Sequence, residues 1–218
     1  WPPLTPNLHR LAFESGRVQL LLGLGDAATL ARELVARVDA FFLDGFAPAR
    51  NEAMWSLPLF NSLARLAAPD ATAATWSAAR VVRDGLSAAG FDVQAAAGPG
   101  AKREITLARY APRFAAPAPP GRVLPAAAPS HAIVIGAGLA GAAAARALAL
   151  QGVPCTVLDA QQQPASQASG NPAGLFHGTV GADDTPHTRW HRAASFAAAD
   201  WVRASQAGTS DGLLRLNG

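Results

Sequence analysis

The sequence predicts an α/β protein with two Rossmann-like domains. The first observation is a glycine fingerprint, Gly136-x-Gly138-x-x-Gly141, set between a β-branched run and an Ala/Leu-rich helix pattern. The second is an alternation of strand and helix patterns over residues 1–110. The third is a Pro/Ala-rich stretch, 111–130, which has almost nothing to bury and is typical of a semi-rigid linker. We therefore expect one domain at 1–110 and another at 131–218.

The first half reads as an open sheet flanked by helices. In chain order, the patterns predict a proline-rich extended start (1–7), a strand (17–22), a helix (28–37), a strand (38–43), a helical segment bent or restarted at Pro58 (51–66), a strand (71–76), a helix (78–89) and two strands (91–94 and 104–108). The continuous apolar run at 38–43 is typical of a parallel strand covered on both faces. Glycines between the last two strands favour an antiparallel hairpin at one sheet edge. This order suits the second half of a doubly wound domain.

The second half begins with a βαβ unit at 131–159. Gly136 permits the tight turn after the first strand, Gly138 lets a pyrophosphate approach the backbone, and Gly141 lets the helix pack closely on the strand. The free N–H groups and the dipole of the helix N-terminus attract the pyrophosphate. Asp159 ends the second strand, where it can accept hydrogen bonds from an adenosine ribose. These features predict a dinucleotide site.

A transmembrane helix over 132–150 is the alternative for this segment, which contains one charge, Arg146. Three glycines at fixed spacing and the scarcity of Leu and Ile argue against membrane insertion. We therefore expect no membrane partner.

Composition sets wider limits. The chain has 218 residues, 50% of them hydrophobic and 15% charged, which is enough to bury a core. Its net charge of +3 permits an RNA partner without requiring one. The single cysteine, Cys155, cannot form an internal disulfide and fits a reducing compartment. The start at Trp1 and the uncapped end at 213–218 suggest a fragment. The five histidines do not form a metal set, because His187 and His191 lack a third ligand nearby.

Several short motifs carry a resemblance to a known family. The motifs are Phe42-Leu43-Asp44-Gly45-Phe46-Ala47-Pro48-Ala49-Arg50-Asn51, Met54-Trp55, Val82-Arg83 before Gly85-Leu86, Ala89-Gly90-Phe91 and Lys102-Arg103-Glu104. They resemble the methyltransferase half of the bifunctional tRNA 5-methylaminomethyl-2-thiouridine biosynthesis proteins. The glycine fingerprint after the linker, with Ala168-Ser169-Gly170-Asn171 and Gly174, is similar to the start of that family's FAD-dependent oxidoreductase half. The chain departs from the family pattern at Glu52, where proline is usual.

The resemblance implies a two-step modification of the tRNA wobble uridine, with FAD and S-adenosyl-L-methionine as cofactors. The oxidoreductase half removes the carboxymethyl group of 5-carboxymethylaminomethyl-(2-thio)uridine as glyoxylate, and the methyltransferase half methylates the aminomethyl group that remains. The fold implied is the C-terminal part of a methyltransferase sheet, followed by the N-terminal FAD-binding βαβ unit of an oxidoreductase. A cytoplasmic enzyme with a tRNA substrate is expected.

The resemblance also implies roles for particular residues. Asp44 follows a parallel strand and is placed to accept the proton of the substrate amine; the alternative is a cap for its own loop. Asp26 resembles the acidic residue that contacts the adenine of S-adenosylmethionine, and a helix N-cap is the alternative. Ser169 and Gly170 lie in a small-residue loop that can approach an isoalloxazine ring, unless it is an ordinary surface loop.

Three functions therefore stay open at the level of sequence. The first is the bifunctional tRNA-modifying enzyme. The second is an FAD-dependent amine or amino-acid oxidase, which leaves the Asp-Gly-Phe-Ala-Pro stretch unexplained. The third is a non-catalytic RNA-binding remnant, which the apparent truncation favours.

Overall fold

The computed structural model describes residues 7–114, 127, 129–172, 174 and 183–205. The chain divides into two compact units, residues 1–124 and 125–218, and each unit is described by itself. The proline-rich start at 1–6, most of the expected linker, His177 and the apolar end at 213–218 lie outside the described residues.

The first unit opens with a hairpin that the sequence analysis recognised only in part. Strand β1 (Asn7–Phe13) pairs antiparallel with β2 (Val18–Leu24), from Asn7 opposite Leu24 to Phe13 opposite Val18. The connecting 3₁₀ turn places Gly16 at φ +89°, which glycine adopts without the strain of a side chain. The expectation that the strand at 17–22 joins the main sheet is wrong, because this turn folds it back onto β1 and the two form a separate two-stranded sheet.

The main sheet has four strands in the order β3-β4-β6-β5. Its elements are α1 (Ala27–Glu33), β3 (Val38–Phe42), α2 (Leu57–Leu66), β4 (Ala67–Thr75), α3 (Arg80–Ala88), β5 (Phe91–Ala96) and β6 (Ile105–Tyr110). Strands β3 and β4 are parallel, and β6 runs antiparallel to both β4 and β5. The expected antiparallel hairpin, formed by β5 and β6, is therefore confirmed, and β5 is the edge strand. The carboxyl ends of β3, β4 and β5 consequently meet at one edge, together with the loop at 97–104.

Pro58 restarts the helix that precedes β4, as the sequence predicted. A short 3₁₀ turn (Glu52–Trp55) comes first, and α2 begins at Leu57 with the proline in its first turn. Proline is tolerated there because the first N–H groups of a helix have no partner within it. Glu52, which stands where proline is usual in the resembling family, is the first residue of the 3₁₀ turn, so the turn forms without proline there.

The core of this unit lies on one face of the sheet. Phe60 of α2 and Val82 and Leu86 of α3 are almost fully buried and pack in one cluster with Phe41. The expectation that β3 is covered on both faces is wrong: Phe42, which alternates with Phe41 along the strand, is 85% exposed. Both helices pack on the Phe41 face, so the opposite face of β3 lacks their cover.

The second unit contains the βαβ arrangement that the fingerprint predicted. Strands β7 (Ala132–Ile135) and β8 (Cys155–Leu158) are parallel and are connected through α4 (Leu139–Leu150). A 3₁₀ turn (Ala168–Gly170) and α5 (Pro186–Ser205) follow. The Arg146 guanidinium lies 4.9 Å from the ring centre of Trp201, a cation–π contact between α4 and α5.

Candidate functional site

The turn between β7 and α4 has the geometry that its glycines predicted. Gly136 has φ +101°, and its N–H donates to the Leu158 carbonyl at 2.7 Å. A Cβ on Gly141 would overlap the Gly136 carbonyl oxygen, so only glycine permits this packing of helix on turn. Gly138 is the N-cap of α4 and offers no side-chain cap to the helix N–H groups. The first N–H groups of this 12-residue helix have no partner within the helix, so those that the Ser169 hydroxyl does not occupy can bind an anion.

Asp159 is hydrogen-bonded to this turn. One carboxylate oxygen accepts from the Ala137 N–H at 2.6 Å, and the other accepts from the Gln161 N–H at 2.7 Å. These two backbone hydrogen bonds lower the pKa of Asp159 below its ordinary value of 3.8, because they favour the ionised form. Each oxygen keeps a lone pair for a further donor. A charged acceptor thus stands at the end of β8, where the sequence analysis expected a ribose contact.

The Ser169 hydroxyl lies at the same turn. Its oxygen accepts from the Leu139 N–H at 3.1 Å and lies 2.7 Å from the position of a Cβ on Gly138. A Cβ on Gly170 would overlap the Ala165 carbonyl, so the loop itself needs that glycine. The structure brings Ser169 to the helix end, beside the expected pyrophosphate position; its contact with an isoalloxazine ring stays a prediction.

These residues fit a flavin dinucleotide. The glycines supply the turn and the close approach, while the open end of α4 supplies N–H groups for a pyrophosphate. Asp159 and Ser169 add a charged acceptor and a hydroxyl on either side of the turn. The arrangement defines a dinucleotide-binding unit.

Asp44 lies at the carboxyl edge of the main sheet in the first unit. It lies two residues beyond the end of β3, and the intervening Leu43 N–H continues the ladder by donating to the Ala74 carbonyl at 2.9 Å. Trp55 supports the loop that carries Asp44: its indole N–H donates to the Phe46 carbonyl at 2.7 Å, and its ring would lie 3.1 Å from a Cβ on Gly45. The Asp44 carboxylate is exposed, and this support fixes the backbone that presents it.

A cavity of about 330 Å³ lies beside Asp44. Its walls include Phe42, Asp44, Thr75, Trp76, Pro99 and Ile105. The sequence pattern at 71–76 predicted Trp76 only as the last residue of a strand. An indole just beyond a strand that ends at the same edge as Asp44 was the signal that could have placed Trp76 at this cavity.

A larger cavity, of about 1150 Å³, lies at the opposite edge of the sheet. It is lined by the starts of β4 and β5 and the end of β6, and none of the predicted site residues borders it. In open α/β sheets ligands bind outside the carboxyl ends of the strands. We therefore assign the chemistry to the smaller cavity.

Asp26 caps α1, which was the alternative interpretation of this residue. Its side chain accepts from the Thr29 N–H at 2.8 Å. The hydrogen bonds with Thr29 and the nearby Arg32 lower the pKa of Asp26 below its ordinary value. The cap does not exclude a second contact, because a carboxylate has several acceptor positions. The contact with S-adenosylmethionine stays a prediction.

His187 and His191 lie on one face of α5, with their ring centres 4.3 Å apart. Within the described ranges, no group of three or more metal-ligating side chains occurs. Among the helices of that same part of the chain, none is long and apolar enough to cross a membrane.

The two sites define a protein that combines a methyltransferase-like sheet with a flavin-type dinucleotide fold. Residues 1–111 match the family described as S-adenosyl-L-methionine-dependent methyltransferase, and the chain belongs to that family. Residues 131–218 match the family described as FAD dependent oxidoreductase. Both cofactors expected from the sequence are thus those of the matched families, and the order of the two halves is confirmed.

Three relatives carry the name of the family that the sequence resembles. The tRNA 5-methylaminomethyl-2-thiouridine biosynthesis bifunctional protein MnmC of Methylibium petroleiphilum is 60% identical over 99% of this chain and 34% of that protein. Proteins of the same name are 48% identical in Burkholderia vietnamiensis, over 95% of this chain and 32% of that protein, and 50% identical in Thiobacillus denitrificans, over 89% and 30%. The resemblance is therefore confirmed, and the chain spans about a third of the length of these relatives.

Proposed function

We propose that the protein modifies the wobble uridine of tRNA in two successive steps. The observation that carries the proposal is the joining of both enzyme families in one chain, in the order of relatives whose name gives this biosynthetic role. An FAD-dependent amine oxidase explains residues 131–218 but not a methyltransferase part with a built cavity at Asp44. A non-catalytic remnant does not account for the glycine turn between β7 and α4, which keeps the geometry of a pyrophosphate-binding turn.

In the first step, oxidation of the carboxymethyl C–N bond of 5-carboxymethylaminomethyl-(2-thio)uridine and addition of one water molecule release the carboxymethyl group as glyoxylate, and an aminomethyl group remains. FAD, when bound, supplies the hydride acceptor for oxidation of the C–N bond. This chain contributes the binding surface: Gly136, Gly138 and Gly141 shape the turn for the pyrophosphate, and Asp159 accepts from the ribose hydroxyls. Ser169 and Gly170 complete the wall of the site.

In the second step, the aminomethyl nitrogen forms a bond to the methyl carbon of S-adenosyl-L-methionine, while the sulfur–methyl bond breaks and S-adenosylhomocysteine leaves. The nitrogen must lose a proton, and we assign its acceptance to the Asp44 carboxylate at the edge of the cavity. Most of the rate comes from holding the amine in line with the methyl group. We assign Asp26 to the adenine of S-adenosylmethionine, with its cap of α1 fixing the carboxylate.

The proposal keeps the division into a methyltransferase part (1–110), a linker (111–130) and an oxidoreductase part (131–218). Matches to separate families on either side of the Pro/Ala-rich stretch support this division. A tRNA substrate supports a cytoplasmic location.

The experiment is deletion of the gene, followed by mass spectrometry of total tRNA nucleosides. We expect 5-carboxymethylaminomethyl-(2-thio)uridine to accumulate and 5-methylaminomethyl-(2-thio)uridine to disappear, with restoration by the full-length gene. Unchanged nucleosides would exclude the tRNA function. Flavin-dependent oxidation of free amines by the purified full-length protein, without any change in tRNA, would favour the amine oxidase instead.

A further inference from the structure

Trp76 is an exposed aromatic side chain on a firmly held backbone. Its side chain is 52% exposed, although it follows directly on the buried Thr75 at the end of β4. The exposed indole face is available to a ligand that offers an apolar or aromatic surface. The position of the residue indicates what that ligand is.

The backbone around Trp76 is fixed by hydrogen bonds on both sides. The Thr75 hydroxyl accepts from the Ser77 N–H at 3.1 Å, and the Ser77 carbonyl accepts from the Thr106 hydroxyl at 2.7 Å. Thr106 is 1% exposed and accepts in turn from the Arg83 guanidinium at 2.9 Å. A hydrogen-bonded network around two buried threonines holds the loop in one conformation. The indole is therefore presented on a pre-organised support.

Trp76 and Asp44 border the same cavity. They follow neighbouring parallel strands, and the bond from the Leu43 N–H to the Ala74 carbonyl fixes those strand ends side by side. The volume of about 330 Å³ suits one nucleoside rather than a length of folded RNA. Proteins recognise single, unstacked RNA bases by stacking them on aromatic rings.

We propose that Trp76 stacks on the pyrimidine ring of the acceptor nucleoside and so sets its aminomethyl group beside Asp44. This inference rests on the proposed function, since it assigns the substrate contact of the same site. Stacking supplies affinity for the base, while the neighbouring carboxylate receives the proton. Trp76 is thus a substrate-binding residue, with no proton-transfer role of its own.

The test uses the full-length protein with Trp76→Leu and Trp76→Phe variants, and Trp190→Ala as a control at an indole that is 74% exposed in the other unit. Leucine keeps apolar bulk but removes the aromatic face, whereas phenylalanine keeps the face. Methyl transfer to tRNA carrying 5-aminomethyluridine is measured while the tRNA and the S-adenosyl-L-methionine concentrations are varied separately. Thermal unfolding and the FAD-dependent step show that each variant is folded.

We expect Trp76→Leu to raise KM for tRNA at least about fivefold, the lower end of measured base-stacking effects, with KM for S-adenosyl-L-methionine unchanged. Trp76→Phe should retain most of the affinity, and Trp190→Ala all of it. A raised KM for S-adenosyl-L-methionine would instead place the indole against the cofactor and overturn the inference, as would unchanged kinetics. If the leucine variant unfolds and the phenylalanine variant does not, the test rests on the phenylalanine variant. A loss of tRNA affinity in that folded variant would also overturn the inference. A wild-type protein that methylates no tRNA would show failure of the proposed function itself.

Discussion

The Ser169 hydroxyl oxygen lies 2.7 Å from the position that a Cβ on Gly138 would occupy. The same oxygen accepts a hydrogen bond from the Leu139 N–H at the start of α4. Two distant parts of the chain thus meet at the helix N-terminus, and a Cβ on Gly138 would require the Ser169 hydroxyl to move. A pyrophosphate needs this same approach to the helix end.

The first prediction is that Gly138→Val abolishes FAD binding. A valine side chain would occupy the pyrophosphate's path and displace Ser169 from the Leu139 N–H. We expect the full-length variant to purify without flavin absorbance. Ala144→Val places the same side chain on an exposed position of α4 and should retain the flavin. A folded Gly138→Val protein with stoichiometric FAD would contradict the assignment.

The second prediction concerns Asp159 and acid. Its pKa is lowered in the folded state, so the carboxylate stabilises the fold above its ordinary pKa of 3.8 and this contribution is lost as the pH falls through the lowered value. Asp159→Asn should therefore unfold more easily than the wild type at neutral pH, and the difference should vanish in strong acid. Urea titrations of the flavin-free protein across this range provide the measurement, with the exposed Asp183→Asn as control. An equal difference at every pH would show that the charge is not responsible.

The local patterns predicted the βαβ unit at 131–159, because a glycine fingerprint specifies a turn, a helix end and two strands together. They failed at β2 and at Phe42, where the outcome depends on contacts distant in sequence. The strand pattern of 17–22 is correct, but the turn at Gly16 selects its pairing partner. Likewise, an apolar run shows that Phe41 and Phe42 suit a strand, and the placement of α2 and α3 decides which of them is buried. The sequence did not identify Trp76 as a cavity residue, because that position depends on the neighbouring strand β3 and the loop that follows it.

The third prediction tests the network beneath the Trp76 loop. Thr106→Val keeps the shape of the side chain but leaves the Ser77 carbonyl and the Arg83 guanidinium without this partner. Arg83 keeps its ion pair with Glu104 at 3.2 Å, so the cost is the loss of these two hydrogen bonds, and we expect the free energy of unfolding to fall by about 1–3 kcal/mol. Thr72→Val, at an exposed position on β4, should change it little. Equal stability of the two variants in denaturant titrations would show that the network does not support the loop.

The fourth prediction concerns two cations beside the cavity. Lys102 and Arg103 are exposed in the loop at 97–104, whose Pro99 forms part of the cavity wall. If they contact tRNA phosphates, the double variant Lys102→Ala and Arg103→Ala should bind tRNA more weakly. The slope of log affinity against log salt concentration should also be shallower for the double variant, by about 0.7 for each phosphate that it no longer neutralises. Arg109→Ala removes a cation at the opposite edge, where it pairs with Asp70, and is the control. Identical salt slopes for the double variant and the wild type would exclude the phosphate interaction.

The final prediction separates the two chemical steps at Asp44. Asp44→Asn should keep the fold, FAD and the oxidative step, because the residues assigned to the flavin lie in the other unit. Methyl transfer should fall about 10²–10⁴-fold, since an amide accepts a hydrogen bond but does not take up the proton of the amine. Aminomethyl-uridine should accumulate in tRNA while its methylated form is depleted, as measured by nucleoside mass spectrometry. Asp39→Asn changes an exposed carboxylate on the same strand, away from the cavity, and should have no effect. Normal methylation by the Asp44→Asn protein would remove this carboxylate from the mechanism, whereas the absence of both nucleosides would show that the two parts do not act independently.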